Sequence, residues 1–201
     1  MKRAFSLLVI PVAAFTLAAC GGGKDDSGHS MSGHSMPAHS MGASSAPSAS
    51  GHNAQDVMFA QMMIPHHRQA LTMAKQAAAK ASSPEVKKLA GQIERAQQPE
   101  IEKMTGWLRT WGASPSSGDM GMDHGSGMMS EQDMKKLGTL SGTPFDKAFL
   151  QMMIQHHQGA VTMAKTEQAS GSSADAKALA SSIVTSQSAE IETMRKLLAS
   201  M

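Results

Sequence analysis

From residue 55 onward, apolar residues recur along the chain with the period of an α-helix. Phe59, Met63, His66, Ala70, Met73 and Ala77 fall on one narrow stripe at 100° per residue, spaced by fours and threes. Phe149, Met153, His156, Ala160 and Met163 write the same stripe a second time. A further stripe holds Leu89, Ile93, Ala96, Glu100, Met104 and Trp107, matched later by Leu179, Ile183, Glu190 and Met194. These patterns predict helices over 55–80, 84–110, 145–169 and 174–199. Asn53 or Thr143 can cap the first helix of each pair, with Asp56 or Asp146 three residues on. Ser83-Pro84-Glu85 and Ser173-Ala174-Asp175 offer starts for the second helices.

The recurrence is an internal duplication. Shifted by 90 residues, Asp56–Leu108 aligns with Asp146–Leu198 at 26 identities in 53 positions. Each copy reads as a helical hairpin, residues 53–110 and 144–201. A lone hairpin would leave its stripes half exposed, so the expected fold is all-α: one domain in which two duplicated hairpins pair into an antiparallel, ferritin-like four-helix bundle with a pseudo-twofold axis. The connection over 111–143 is long for a bundle loop, and Ser130-Glu131-Gln132-Asp133 can start a short helix within it.

The chain before the hairpins has a different character. Lys2 and Arg3 precede an apolar run from Ala4 to Ala19, which reads as an export signal over residues 1–19. It ends in Leu17-Ala18-Ala19-Cys20, a sequence that resembles the bacterial lipobox, so Cys20 is the expected lipidated first residue of an envelope protein facing the periplasm or the cell exterior. Residues 20–52 are rich in Gly, Ser, Ala, His and Met and lack branched aliphatics, the composition of a disordered tether. Without Lys2 and Arg3, 16 basic residues balance 16 acidic ones, which argues against a nucleic-acid partner. A single Cys excludes a disulfide framework or a thiolate zinc finger, and once Cys20 carries lipid, soft-metal chemistry falls to His and to the nineteen Met.

His and Met lie where such chemistry needs them. His66 and His156 interrupt the apolar stripes of the first helices, and Glu100 and Glu190 those of the second, so each Glu is expected to approach a His across the hairpin or across the bundle axis. Met62 and His66 are four apart, as are Met63 and His67, and Met152, Met153, His156 and His157 repeat the arrangement. Thioether with imidazole suits copper, Cu(I) above all, whereas calcium or magnesium needs several oxygens. The alternative is a His-Glu hydrogen bond that only sets helix register. Outside the stripes, His-Ser-Met occurs three times, as His29 with Met31, His34 with Met36 and His39 with Met41, and the linker carries Met120, Met122, His124, Met128 and Met129. These segments offer Met no core to fill and read as weak, exchangeable sites for Cu(I) or Ag(I). Pro65 and Pro99 stand where the second copy has Gln155 and Ala189; each either kinks a helix or marks its boundary.

FLQMMIQHHQGAVTMAK followed by SAEIETM resembles the family catalogued as domain of unknown function 305, over Asp56–Leu108 and more fully Phe145–Leu198. The resemblance implies a ferritin-like four-helix fold in exported bacterial proteins, some of which bind copper or silver and support metal resistance. Carried onto this chain it picks out Met63, His66, His67, Met73, Glu100 and Met104, then Met153, His156, His157, Met163, Glu190 and Met194. The expected function is a non-enzymatic, membrane-anchored protein that buffers or relays copper, exchanging it with donor or acceptor proteins of the envelope. Two other readings compete with it. A dinuclear oxidoreductase of the ferritin type would use Glu-x-x-His, which the chain lacks. A structural or adaptor bundle would use its His-Glu pairs for register alone.

Overall fold

The computed structural model describes residues 51–115 and 127–201. The described residues form five helices and no strand: α1 (Ala54–Lys80), α2 (Pro84–Thr110), α3 (Glu131–Thr139), α4 (Gly142–Ser170) and α5 (Ala174–Ala199). Three-residue turns join α1 to α2 and α4 to α5, which pack as two hairpins, and α1 lies against α4.

Capping chemistry sets most of these ends. Asn53 accepts from the backbone N–H groups of Gln55 and Asp56, and Asp56 returns a bond to the Asn53 N–H, a complete capping box. Ser83, Ser130 and Ser173 cap α2, α3 and α5 through their hydroxyls. Thr143 does not cap α4: the helix already begins at Gly142, whose φ of +64° lies in the left-handed region that favours glycine. Pro65 and Pro99 both lie inside unbroken helices, so neither marks a boundary.

The carboxylates that open α1 and α4 join the two hairpins. Asp56 accepts from the N–H groups of Ser172 and Ser173 in the α4–α5 turn. Asp146 accepts from the N–H groups of Ser82 and Ser83 and from the Ser82 hydroxyl in the α1–α2 turn. Each copy thus ties down the turn of the other, and both Asp side chains are buried.

Apolar packing divides into two clusters. One gathers Met73, Ala77, Val86, Leu89 and Ile93 with Phe145, Phe149, Leu150, Met153 and Met194, under Leu137 of α3. The other gathers Phe59, Met63, Ile64, Met104 and Leu108 with Ala160, Ala164, Leu179 and Ile183. In each long helix a polar residue separates the two sets: His66 and His67 in α1, Gln97 in α2, His156 and His157 in α4, and Gln187 in α5. All six are buried. The α2 stripe therefore runs through Ile93, Gln97, Ile101, Met104 and Leu108; Ala96, expected on it, is exposed, and Trp107 is half-buried.

Candidate metal centre

The polar layer between the clusters is the candidate site. His66 and His156, from equivalent positions in α1 and α4, meet with ring centroids 3.7 Å apart. His67 and His157 lie to either side, each with its ring 6.4 Å from the neighbouring one. A helix packed against two others buries an arc wider than one stripe, so consecutive His residues both turn inward. His66 and His156 face across the α1–α4 contact, while His67 and His157 face the second helix of their own hairpin.

That orientation fixes the glutamate partners. His67 Nε2 is 2.7 Å from Glu100 Oε2, and His157 Nε2 is 2.7 Å from Glu190 Oε2. The glutamates thus pair across the hairpin with the second His of each copy, not with His66 and His156. A carboxylate only accepts, so a neutral imidazole in this pair carries its proton on Nε2 and keeps a lone pair on Nδ1. In both rings Nδ1 is buried with no hydrogen-bond partner among the described residues. A carboxylate on one nitrogen and a lone pair on the other is the arrangement of a metal-ligating His held by its outer partner. Glu100 and Glu190 sit at the edge of the layer, 16% and 20% exposed, so water reaches the site beside the carboxylates.

His156 is fully buried, and neither of its ring nitrogens has a well-formed hydrogen bond among the described residues, their one polar approach being to the His66 backbone. Burial, and then the charges His66, His157 and His67 would carry, hold its pKa well below the ordinary histidine range. The ring is therefore a neutral imidazole at physiological pH, the form that binds metals.

Met63, Met73, Met104, Met153 and Met194 are all buried against this layer or in the clusters on either side of it. Met152 and Met163 are half-buried, packed against the first and second clusters respectively. Met62 is 44% exposed and so is not brought into the buried centre. Among the described residues, no three His, Cys, Asp or Glu side chains gather closely enough to hold a metal by themselves. A site in this layer has to recruit thioethers, and the donors at hand, neutral imidazole and methionine sulfur, fit a soft monovalent ion. Of the outlying candidates, Met128 and Met129 are half-buried beside α4. Cys20, His29, Met31, His34, Met36, His39, Met41, Met120, Met122 and His124 lie outside the described residues.

Three buried polar residues escaped the sequence reading. Gln97 and Gln187 complete the layer from α2 and α5; their identity in the two copies, midway along an apolar stripe, was the available signal. Glu167 is fully buried beside Asp56, where burial and the neighbouring Asp56 carboxylate push its pKa up to about 8. Its counterpart in the first copy is Ala77.

The profile of the family described as "Domain of unknown function (DUF305)" matches residues 56–198. No curated protein sequence matches the chain. Among solved structures, a Streptomyces coelicolor DUF305 protein described as secreted is 37% identical, with a TM-score of 0.68 over 73% of this chain and 93% of its own. A DUF305 fragment from Deinococcus radiodurans is 32% identical, with a TM-score of 0.68 over 74% of this chain and 98% of its own. CopM in its Cu(II)-bound form is 39% identical, with a TM-score of 0.64 over 72% of this chain and 96% of its own; it is also known in Cu(I)-bound, Ag-bound and apo forms. Matched over most of its length by profile and by structure, the chain belongs to the DUF305 family.

Proposed function

We propose that the protein binds copper outside the cytoplasm, as Cu(I) with Ag(I) as its soft analogue, and buffers or relays it without turning over a substrate. The observation that carries this reading is the buried His layer, in which Nδ1 of His67 and of His157 is oriented by a glutamate and left without a partner between methionine-rich clusters. The copper- and silver-bound forms of CopM support it. The residues that would hold the ion are His66, His67, His156 and His157, with Met63 and Met153 one turn before them. Burial keeps His156 a neutral imidazole, and Glu100 and Glu190, at the edge of the layer, hold His67 and His157 by Nε2 so that Nδ1 of each faces the ion. The frame is an antiparallel four-helix bundle of the ferritin type, built from the duplicated hairpins. The His-Met segments before and between the hairpins act as weaker collecting sites, and Cys20 anchors the chain to the envelope membrane, where donor or acceptor proteins exchange the ion. Among the described residues no helix is long and apolar enough to cross a membrane.

The test is an anaerobic Cu(I) titration against a chromogenic chelator. It compares the full chain carrying Cys20→Ser, so that no thiol competes, with two further variants: His66→Ala with His156→Ala, and one whose His and Met before residue 53 and between 116 and 129 are replaced. Tight binding that survives the second variant and is lost in the first supports a dedicated centre. Binding that follows only the outlying segments returns the His layer to a register role.

A further inference from the structure

The end of the connection between the hairpins is seated, and its seat lies at the pseudo-twofold axis. The Gln69 side-chain amide donates from Nε2 to the Met129 carbonyl at 2.8 Å, and its Oε1 accepts from the Met129 N–H at 2.7 Å. A side chain here pairs with a peptide unit as a neighbouring strand would. Two residues earlier, Gly127 has φ +76°, and a Cβ added to it would stand 2.7 Å from the Gln155 carbonyl oxygen and 2.9 Å from the Gly159 Cα. Only glycine approaches α4 so closely. Gln69 and Gly159 occupy the same position in the two copies, each three residues after His66 or His156 of the central pair. A segment touching both therefore crosses the axis that relates His66 to His156, one helical turn from the His pair. Beside it opens a cleft of about 460 Å³, lined by Met128, Met129, Asp133, Gln158, Gly159 and Thr162 among others.

We propose that this seat is the port through which a soft monovalent ion exchanges with the buried His layer, with Met128 and Met129 as its thioether donors and Gln69 as its positioning residue. The proposal rests on the copper reading above and adds the route. Three features support it. The segment is held by its backbone, which leaves both thioethers to serve as ligands. Met129 packs against the first apolar cluster, the one that contains Met73 and Met153. The cleft also gives solvent access next to the turn that carries His156, which is itself fully buried.

The experiment follows Cu(I) transfer from the loaded full chain, in the Cys20→Ser background, to excess chelator by stopped flow, with equilibrium affinity measured on the same samples. Gln69→Ala removes two hydrogen bonds and is expected to lower the transfer rate by about tenfold. Met128→Leu with Met129→Leu, which removes the donors themselves, should lower it at least as far, and in Gln69→Ala equilibrium affinity should stay within about twofold. Gln69→Glu keeps the acceptor for the Met129 N–H and loses the donor, so its rate should fall between wild type and Gln69→Ala. Amide exchange supplies a readout independent of copper: the Met129 N–H is protected in the wild type and exposed in Gln69→Ala. Unchanged transfer rates in all variants overturn the port and leave the copper centre standing. So does a Met129 amide that exchanges freely in the wild type. A wild-type chain that retains no copper overturns both readings together.

Discussion

Replacing His156 by Leu separates the stability of the layer from its use. The ring is fully buried, and its two nitrogens, one N–H donor and one lone pair in the neutral form, have no well-formed hydrogen bond among the described residues, their one polar approach being to the His66 backbone. An unsatisfied buried polar group costs about 1–3 kcal/mol, and because one of the two nitrogens is partly served by the His66 backbone, removing both contributes about 2–3 kcal/mol in favour of the folded state. Against this stands the loss of ring contact with His66, 3.7 Å away, together with the misfit of a branched side chain in an imidazole's place, about 1 kcal/mol. The metal-free variant should therefore be about 1–2 kcal/mol more stable than the wild type. At about 2–4 °C per kcal/mol for a chain of this size, calorimetry should show a rise in Tm of about 2–8 °C. The same substitution removes a ligand, and Cu(I) affinity measured by competition should drop by about a hundredfold. A stabilised protein that has lost its copper identifies a residue retained for binding at the expense of folding. The reasoning is refuted if His156→Leu lowers the metal-free Tm and leaves Cu(I) affinity intact, for the ring would then be a packing element.

Glu167 keeps its proton in the folded state up to about pH 8, whereas in the unfolded chain it ionises near its ordinary 4.5, so folding takes up a proton between those values and stability falls as pH rises through that window. Glu167→Gln, which is neutral throughout, should flatten that part of a denaturation profile recorded from pH 4 to 9. Asp146→Ala removes the acceptor for three hydrogen bonds from Ser82 and Ser83 and should cost about 2–3 kcal/mol in chemical denaturation. Asp56→Ala should cost at least as much, because Asp56 also closes the capping box of α1. Pro65→Gln and Pro99→Ala give the first copy the residues of the second and restore a backbone N–H inside α1 and α2. Each should stabilise by about 2 kcal/mol, the usual interior-proline cost reduced by the stiffness proline lends the unfolded chain, and thermal melts of the single variants will show it.

How far the sequence carries depends on the kind of contact. The helices were legible because the duplication states each apolar stripe twice, and the Ser83, Ser130 and Ser173 caps because capping is local. The glutamate partners were legible only in kind. A single stripe centres on His66 and leaves His67 at its flank, yet α1 packs on both α2 and α4, and the flank is what faces Glu100. Gln97 was missed for a related reason: a polar residue in the α2 pattern shifted the apparent stripe onto Ala96. Asp56 and Asp146 look like caps, and Asp56 is one, but their bonds to Ser172, Ser173, Ser82 and Ser83 join residues more than sixty positions apart, beyond the reach of any local rule.

Differences between the copies are as informative as their identities. A twofold arrangement can be symmetric only where nothing crosses its axis, and a single chain has one connection between its halves. Where residues 127–129 cross, equivalent positions face opposite sides of the same segment and cannot be served by the same residue. Position 69 needs a side chain long enough to pair with a peptide unit, and the structure gives it glutamine. Position 159 needs no side chain at all, because a backbone lies on it, and the structure gives it glycine. Pro65 against Gln155 diverges one turn earlier on the same face, where the Gln155 carbonyl meets Gly127. The His pair beneath is identical in the two copies, while the residues above it have divided their roles. Positions 69 and 159 have diverged because one segment lies against both, whereas His66 and His156, which meet each other, have had reason to stay the same.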